Sequence, residues 1–448
     1  MTDTRVVETM NSSPQRPGLV SRRNLLQAAG LGGGLLLAAT EASAQPPSSD
    51  VVVTIKGAKV FDGRWVLEAD TVIVEGSTIV AVGRGLPPRG TVVEGTGATL
   101  LPGLIDSHTH IGANVKNLRD ALLFGVTTEL EMGGEWPPGA RKRAQADGTI
   151  ADFRTSYDGV TPPGGHPAEL LPPNIVRLGS ATPAEARKYV DTIVARGADY
   201  VKILIEGGEV LGHPGLPELS PAIVEETVTA AHDHGKMALA HALTLFNAER
   251  AVRAGVDGLA HVFIDRPHTN EIVRLIARSH TFVTPCLTLN SSIMGGNGKA
   301  LADDPRVTPK LSPAWRKSLS GSMNTWHGNT FQSVLETVAA LHEAGVDILA
   351  GTDASVPIPS LSGLAHGASL HDELRQLVRA GLTPVEALRA ATSTPARRFD
   401  LRDRGRIAPG LRADLLLVAG DPTRNITDTL SIKKVWKRGV EVIGAAVA

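Results

Sequence analysis

Short apolar runs that finish on a metal-ligating or titratable side chain recur through the middle of this chain, and that recurrence restricts its fold more than any other feature. The runs are Leu-Pro-Gly-Leu-Ile-Asp-Ser-His-Thr-His (101–110), Ala-Asp-Tyr-Val-Lys-Ile-Leu-Ile-Glu-Gly-Gly (198–208), Lys-Met-Ala-Leu-Ala-His (236–241), Gly-Leu-Ala-His (258–261) and Val-Asp-Ile-Leu-Ala-Gly-Thr-Asp (346–353). Interleaved with them, the apolar spacing predicts helices over 183–195, 221–234, 248–254, 271–279, 331–344, 367–380 and 384–392, the first and last opening on Thr-Pro. Strands alternating with helices build a parallel sheet, and a closed one gathers the C-terminal ends of its strands on one rim, where the active sites of such barrels lie. On that rim His108, His110, Lys202, His241, His261 and Asp353 would meet.

Each group taken alone says less. His108 and His110 sit at i and i+2, so in a strand both imidazoles face one way. Neutral imidazole suits zinc and similar ions, but His-x-His is also what any polar strand end looks like. Lys202 lies inside an apolar run, where an unpaired ammonium is costly and seldom kept without a task. It is the set of five segments that points to a metal centre.

With these segments the chain resembles the amidohydrolase superfamily, near its imidazolonepropionase-like and Xaa-Pro dipeptidase-like branch. The resemblance runs from Val51 to about Gly439 and includes His-Asp-Glu-Leu-Arg-Gln-Leu-Val-Arg-Ala-Gly-Leu-Thr-Pro (371–384) and Gly-Arg-Ile-Ala-Pro-Gly-Leu-Arg-Ala-Asp-Leu-Leu-Leu-Val (405–418). It implies an α/β fold, a TIM-like (β/α)8 barrel with a small composite β-sandwich. It implies two divalent ions, zinc by ligand type, one on His108 and His110 and the other on His241 and His261. Lys202, carboxylated by carbon dioxide, would bridge them, and Asp353 would be both ligand and catalytic proton carrier. The implied reaction is hydrolysis of an amide-type C–N bond in a small molecule, an N-acyl amino acid, dipeptide-like or carbamoyl compound. Alternatives are a cyclic amide (imidazolone-like) or an ester or lactone as substrate and, remotely, a periplasmic binding protein without catalysis. One departure stands out: Glu129-Leu130-Glu131 occupies the place where relatives carry Arg-Asp.

The ends of the chain read differently. Strand-like pieces at 51–56, 71–75, 78–82 and 92–94 resume at 413–418 and 432–438. The expected organisation is therefore a signal peptide over 1–44, sandwich over 45–104, barrel over 105–404 and sandwich again over 405–448. Arg22-Arg23, a Gly/Ala/Leu stretch and Ala42-Ser43-Ala44 resemble a twin-arginine signal, implying a periplasmic or secreted enzyme with no stable membrane anchor after processing. A net charge of −1 argues against nucleic acid as a partner, leaving a small-molecule substrate and a possible homo-oligomer. The single cysteine, Cys286, permits no intrachain disulfide and reads as a small buried apolar residue. Gly/Pro-rich 133–173 and mixed 290–329 read as long pocket-shaping loops. His166 in Gly-Gly-His, with Tyr157 and His213, are the candidate substrate contacts. His232, His234, His280, His342 and His371 read as helix or turn residues rather than ligands.

Overall fold

The computed structural model describes residues 51–170 and 179–443; the expected signal segment lies outside the described residues. Leu104–Thr109, Val126–Glu131 and Asp152–Thr155 pair in parallel, as do Val201–Leu204, Ala238–His241, Gly258–Leu259 and Phe282–Val283. Parallel bridges Val160↔Ile203, Val283↔Ile348 and Thr109↔Ala354 join these two groups and the stretch around Ile348 into a ring. This is the TIM-like barrel, its inside filled by residues such as Ile105, Leu130, Tyr200, Leu239, Phe282 and Leu349.

The outer helices follow from their caps. Thr182, Ser220, Thr330 and Thr383 each accept a backbone N–H with the side-chain oxygen, and all but Thr330 are followed by proline. The helices therefore begin where expected, at Pro183–Ala195, Pro221–Asp233, Phe331–Glu343 and Pro384–Ala390. The helix expected from 248 starts earlier, at Leu245–Arg253, because Thr244 caps it.

The sandwich is composite. One sheet orders Thr78–Gly83, Thr71–Glu75, Val52–Lys56 and Thr91–Glu94; the other orders Val440–Ile443, Ile432–Lys437, Leu415–Ala419, Ala98–Pro102, Lys59–Phe61 and Val66–Leu67. Antiparallel pairing of Leu415–Ala419 with Ala98–Pro102 unites the two ends of the chain around Ile55, Val72, Ile79, Leu100, Leu417 and Trp436. The run 101–110, which reads as one strand, is divided between sandwich and barrel at Gly103, where a Cβ would lie 2.3 Å from Thr127 Oγ1.

The two insertions are not structureless. The first holds Ala140–Ala146 and the barrel strand Asp152–Thr155, and the second holds Lys299–Ala302 and Pro313–Leu319. Helices of one or two turns are too short to show periodicity in sequence. No helix among the described residues is long and apolar enough to cross a membrane.

Asp152, at the start of its strand, ties the barrel to the C-terminal segment. Arg404 Nη1 and Arg412 Nη1 donate to Oδ2 at 2.7 and 2.6 Å, while Lys437 Nζ and Arg438 Nη2 approach Oδ1 at 3.2 and 3.1 Å. Burial pushes the Asp152 carboxyl up, but these four cations outweigh it and hold it well below the usual carboxylate range.

Candidate metal centre

At the opposite end of the strands, backbone carbonyls aim the first two histidines. His108 Nδ1 donates to Ala260 O at 3.2 Å and His110 Nδ1 to Gly133 O at 3.1 Å, leaving both Nε2 atoms pointing inward. They converge on one oxygen, Asp353 Oδ1, at 3.1 and 2.9 Å. Asp353 is held there by an unusual backbone, with φ of 62° and its N–H donating to His108 O at 2.8 Å. The preceding Thr352 bonds Asp106 through N and Oγ1, at 3.1 and 2.8 Å, which fastens the last barrel segment to the first strand. Gly351 must be glycine: a Cβ there would lie 2.4 Å from Thr284 Cγ2 and 2.9 Å from His108 N.

The other rings form a continuous set. His108 stacks on His261 with centroids 4.5 Å apart, and His261 meets His241 edge-on at 4.7 Å. Lys202 is 1% exposed within the same ring of strands. The four expected segments beyond the first are thus brought together with it, and Cys286 joins them: its Sγ and one ring nitrogen each of His108 and His261 lie within 4.8 Å of one another. Cys286 is buried, as its apolar surroundings imply, but it faces the site.

Electrostatics fit a cation. Burial, and then the charge of Lys202, lowers His108 to about 3, and burial likewise holds His241 and His261 well below the ordinary value, so the rings are neutral donors near pH 7. Burial lowers the Lys202 ammonium to about 8. Burial pushes Asp353 up, but the facing His108 and His110 outweigh it and keep the carboxyl ionised. His108 Nε2, His261 Nδ1, Lys202 Nζ and Asp353 Oδ1 are all buried without a hydrogen-bonding partner; the His108–Asp353 contact is short but not aligned as a hydrogen bond. Orphaned buried polar atoms are costly unless something satisfies them. Converging imidazole and carboxylate donors are the set a divalent ion satisfies.

Supporting groups appear beyond the expected ligands. Glu206 Oε2 accepts from His241 Nε2 at 2.9 Å, and burial pushes its carboxyl up to about 7. Glu129 accepts from His366 Nδ1 at 2.9 Å, while His366 Nε2 donates to Ser355 O at 3.0 Å, two residues past Asp353. Glu131 accepts from Gly112 N at 2.9 Å and Trp136 Nε1 at 2.6 Å, anchoring the loop after His110. Glu129 and Glu131, the two acidic residues of the departure, therefore both carry polar supports here.

Of the candidate substrate contacts, His166 reaches the centre, stacked on His241 at 4.8 Å and bonded through Nδ1 to Glu169 Oε1 at 2.5 Å. His213 is exposed on the Gly208 turn, where its N–H donates to Gly208 O at 2.9 Å. Tyr157 is not brought to the centre. Its hydroxyl donates to Arg196 O at 3.0 Å and its ring lies under the Arg196 guanidinium at 4.5 Å, the backbone at Tyr157 turning through a left-handed φ of 54° just past the strand end at Thr155. His232, His234 and His342 face Asp257, Asp191 and Glu386, and His371 lies between Thr429 Oγ1 and Phe124 O.

Comparison with known proteins agrees with this fold. The model of the amidohydrolase family matches residues 99–442. An uncharacterized protein of Mycobacterium tuberculosis is 27% identical over 348 residues, 75% of this chain and 83% of its own. The crystal structure of an amidohydrolase superposes with a TM-score of 0.68 and 26% identity, covering 87% of this chain and 98% of that one. A Xaa-Pro dipeptidase with methionine bound in its active site superposes with a TM-score of 0.69 at 22% identity, over 87% of this chain and 99% of its own.

Proposed function

The chain belongs to the amidohydrolase family and is a hydrolase of C–N bonds, and from that premise we propose that it is a metal-dependent enzyme cleaving the amide-type bond of an N-acyl amino acid, dipeptide-like or carbamoyl compound. The observation that carries the metal reading is the set of orphaned buried atoms on His108, His261, Lys202 and Asp353, aimed into one space. His108 and His110 would hold one divalent ion with Asp353, and His241 and His261 the other. Lys202 would bridge them as a carbamate, its neutral amine adding to carbon dioxide and releasing one proton. Imidazole dominates the ligand set, which favours zinc over magnesium. Such ions, when bound, supply a water that is nucleophilic near neutral pH and polarise the carbonyl it attacks.

The chain's own groups do the rest. The ionised Asp353 Oδ1 accepts the proton of the attacking water and returns it to the departing nitrogen, a general base turned general acid. His166, stacked against His241, is placed to meet a polar end of the substrate. The dipeptidase of the same fold holds an amino acid in its active site, which supports an amino-acid end for the substrate class. The Arg22-Arg23 leader supports export.

Elemental analysis of the purified protein tests the reading: about two zinc-type ions per chain are expected, lost in His108→Ala and His241→Ala together with activity. Active enzyme without a bound transition metal would overturn it. A screen of metal-loaded protein on dipeptides, N-acyl amino acids, ureas, cyclic amides and lactones then separates the substrate classes.

A further inference from the structure

We propose that Glu206 is a positioning residue: its carboxylate holds the His241 imidazole with Nε2 protonated and Nδ1 turned to the metal, and so sets the affinity of the ion that His241 and His261 share. The inference rests on the metal reading above and names what tunes one of its two sites.

Glu206 is 1% exposed. Its Oε2 accepts from His241 Nε2 at 2.9 Å and its Oε1 from Gly208 N at 2.7 Å, so both oxygens are engaged in hydrogen bonds that orient the carboxylate toward the ring. Among the described residues it makes an ion-pair contact with His241 and with no lysine or arginine. A buried carboxylate without a cation is expensive. A cation bound on the far side of the imidazole would supply the missing positive charge through the ring, which is why such carboxylate–histidine pairs raise ligand basicity and orient metal ligands.

The backbone fixes this contact before any ion arrives. Leu204 pairs in register with His241, and Ile205 N donates to His241 O at 3.1 Å, so the segment leading to Glu206 is stitched to the His241 strand. The turn that follows requires Gly208, whose φ is +85° and whose Cβ, if present, would lie 2.0 Å from His213 O. The His166 ring covers His241 at 4.8 Å and restricts its rotation. Lys202 stands four residues before Glu206, so one strand end delivers both the proposed bridge and the support of the neighbouring ligand.

Glu206→Gln keeps the size and an acceptor oxygen but removes the charge. Zinc binding to the purified wild type and variant, measured by competition with a chromophoric chelator, should show one of two sites weakened by about 10- to 100-fold in the variant and the other unchanged. In apo protein with 15N-labelled histidine, the His241 signal, identified by its loss in His241→Ala, should report the Nε2–H tautomer in the wild type and a mixture in Glu206→Gln. Unchanged affinity at both sites with an unchanged tautomer would overturn the proposal, as would equal weakening of both sites, which marks a merely structural role. A wild type that saturates with fewer than two ions would instead refute the two-ion reading, and the tautomer measurement, which needs no metal, would still decide the role of Glu206.

Discussion

Two largely buried carboxylates lie at opposite ends of the barrel and are treated in opposite ways. Asp152, at the N-terminal ends of the strands, is ringed by Arg404, Arg412, Lys437 and Arg438, of which Arg404 and Lys437 are themselves buried. Asp353, at the C-terminal ends, makes its ion-pair contacts among the described residues with the imidazoles of His108 and His110, and its Oδ1 together with His108 Nε2 and Lys202 Nζ lacks a hydrogen-bonding partner. Both carboxyls are held below their ordinary range. One end spends its charge on joining the barrel to the sandwich; the other leaves its charge uncommitted, which stores a binding site at a cost in stability. This matches the division of labour in such barrels, stability at the bottom and chemistry at the top.

The largest effect expected from this contrast is on turnover. Asp353→Asn should lower kcat by roughly 10²- to 10⁴-fold, as loss of a general base does, with metal content and melting temperature kept. Lys202→Ala should also abolish turnover, and Lys202→Arg should not restore it, because guanidinium stays cationic and cannot carry a carbamate. Steady-state kinetics with parallel metal analysis checks both. Loss of metal in proportion to rate in Asp353→Asn would make the residue mainly a ligand, and wild-type turnover in either Lys202 variant would remove the bridge.

Asp152→Asn should do the reverse. Removing one partner of a buried ion pair leaves the other charges uncompensated, at about 3–5 kcal/mol. Denaturant unfolding should show that loss, while kcat of the folded fraction stays within a few-fold of wild type. If Asp152→Asn lost turnover as deeply as Asp353→Asn, the two ends would not be separable in function.

How much of this contrast was legible in the sequence depends on the range of the interactions. The groups of the candidate centre could be found because they sit in or at the end of apolar runs: His241 ends Ala238–His241, and Asp353 closes the stretch that bridges to Val283 at Ile348. The long-range partners at either end could not, since each contact joins residues far apart: 252 positions between Asp152 and Arg404, 237 between Glu129 and His366, 35 between Glu206 and His241. No local pattern announces such a pair. Tyr157 shows the same limit, because proximity to Gly164-Gly165-His166 in sequence says nothing of the left-handed backbone at Tyr157 or of the Arg196 its side chain meets. The helix ends were legible because caps are local chemistry.

Acid should sharpen the comparison further. The folded-state pKa of Asp152 is depressed relative to the ordinary value of 3.8, so its contribution to stability is fully present above that value and is lost as pH falls below it. The stability difference between wild type and Asp152→Asn should therefore be flat from about pH 7 to 5 and narrow as pH drops through 4, where the unfolded carboxyl begins to bind its proton. Urea unfolding at a series of pH values measures it. A gap that widens on acidification would mean the four cations do not hold the ionised form.

The smallest effect is expected at the rim of the same cluster, and it tests whether burial rather than charge count decides. Arg438 is 40% exposed, with Nη2 at 3.1 Å from Asp152 Oδ1, while Lys437 beside it is 1% exposed. It also occupies a two-residue hairpin turn with Gly439, between Ile432–Lys437 and Val440–Ile443, at φ of 50° followed by 77°. That left-handed pair is the conformation for which Asn-Gly is the favoured sequence, and arginine fits it poorly. An exposed ion pair contributes only about 0–1 kcal/mol and is screened by salt. Relief of backbone strain in Arg438→Asn is of similar size, and the backbone bond from Arg438 N to Asp414 Oδ1 at 2.8 Å does not depend on the side chain. The two changes should nearly cancel, leaving stability within about 0.5 kcal/mol of wild type, the usual range for surface substitutions. Any remaining deficit should shrink as salt is raised. A salt-insensitive loss comparable to that of Asp152→Asn would show that Arg438 counts as fully as its buried neighbours, and the cluster would then have to be treated as one charge balance rather than a buried knot with an exposed edge.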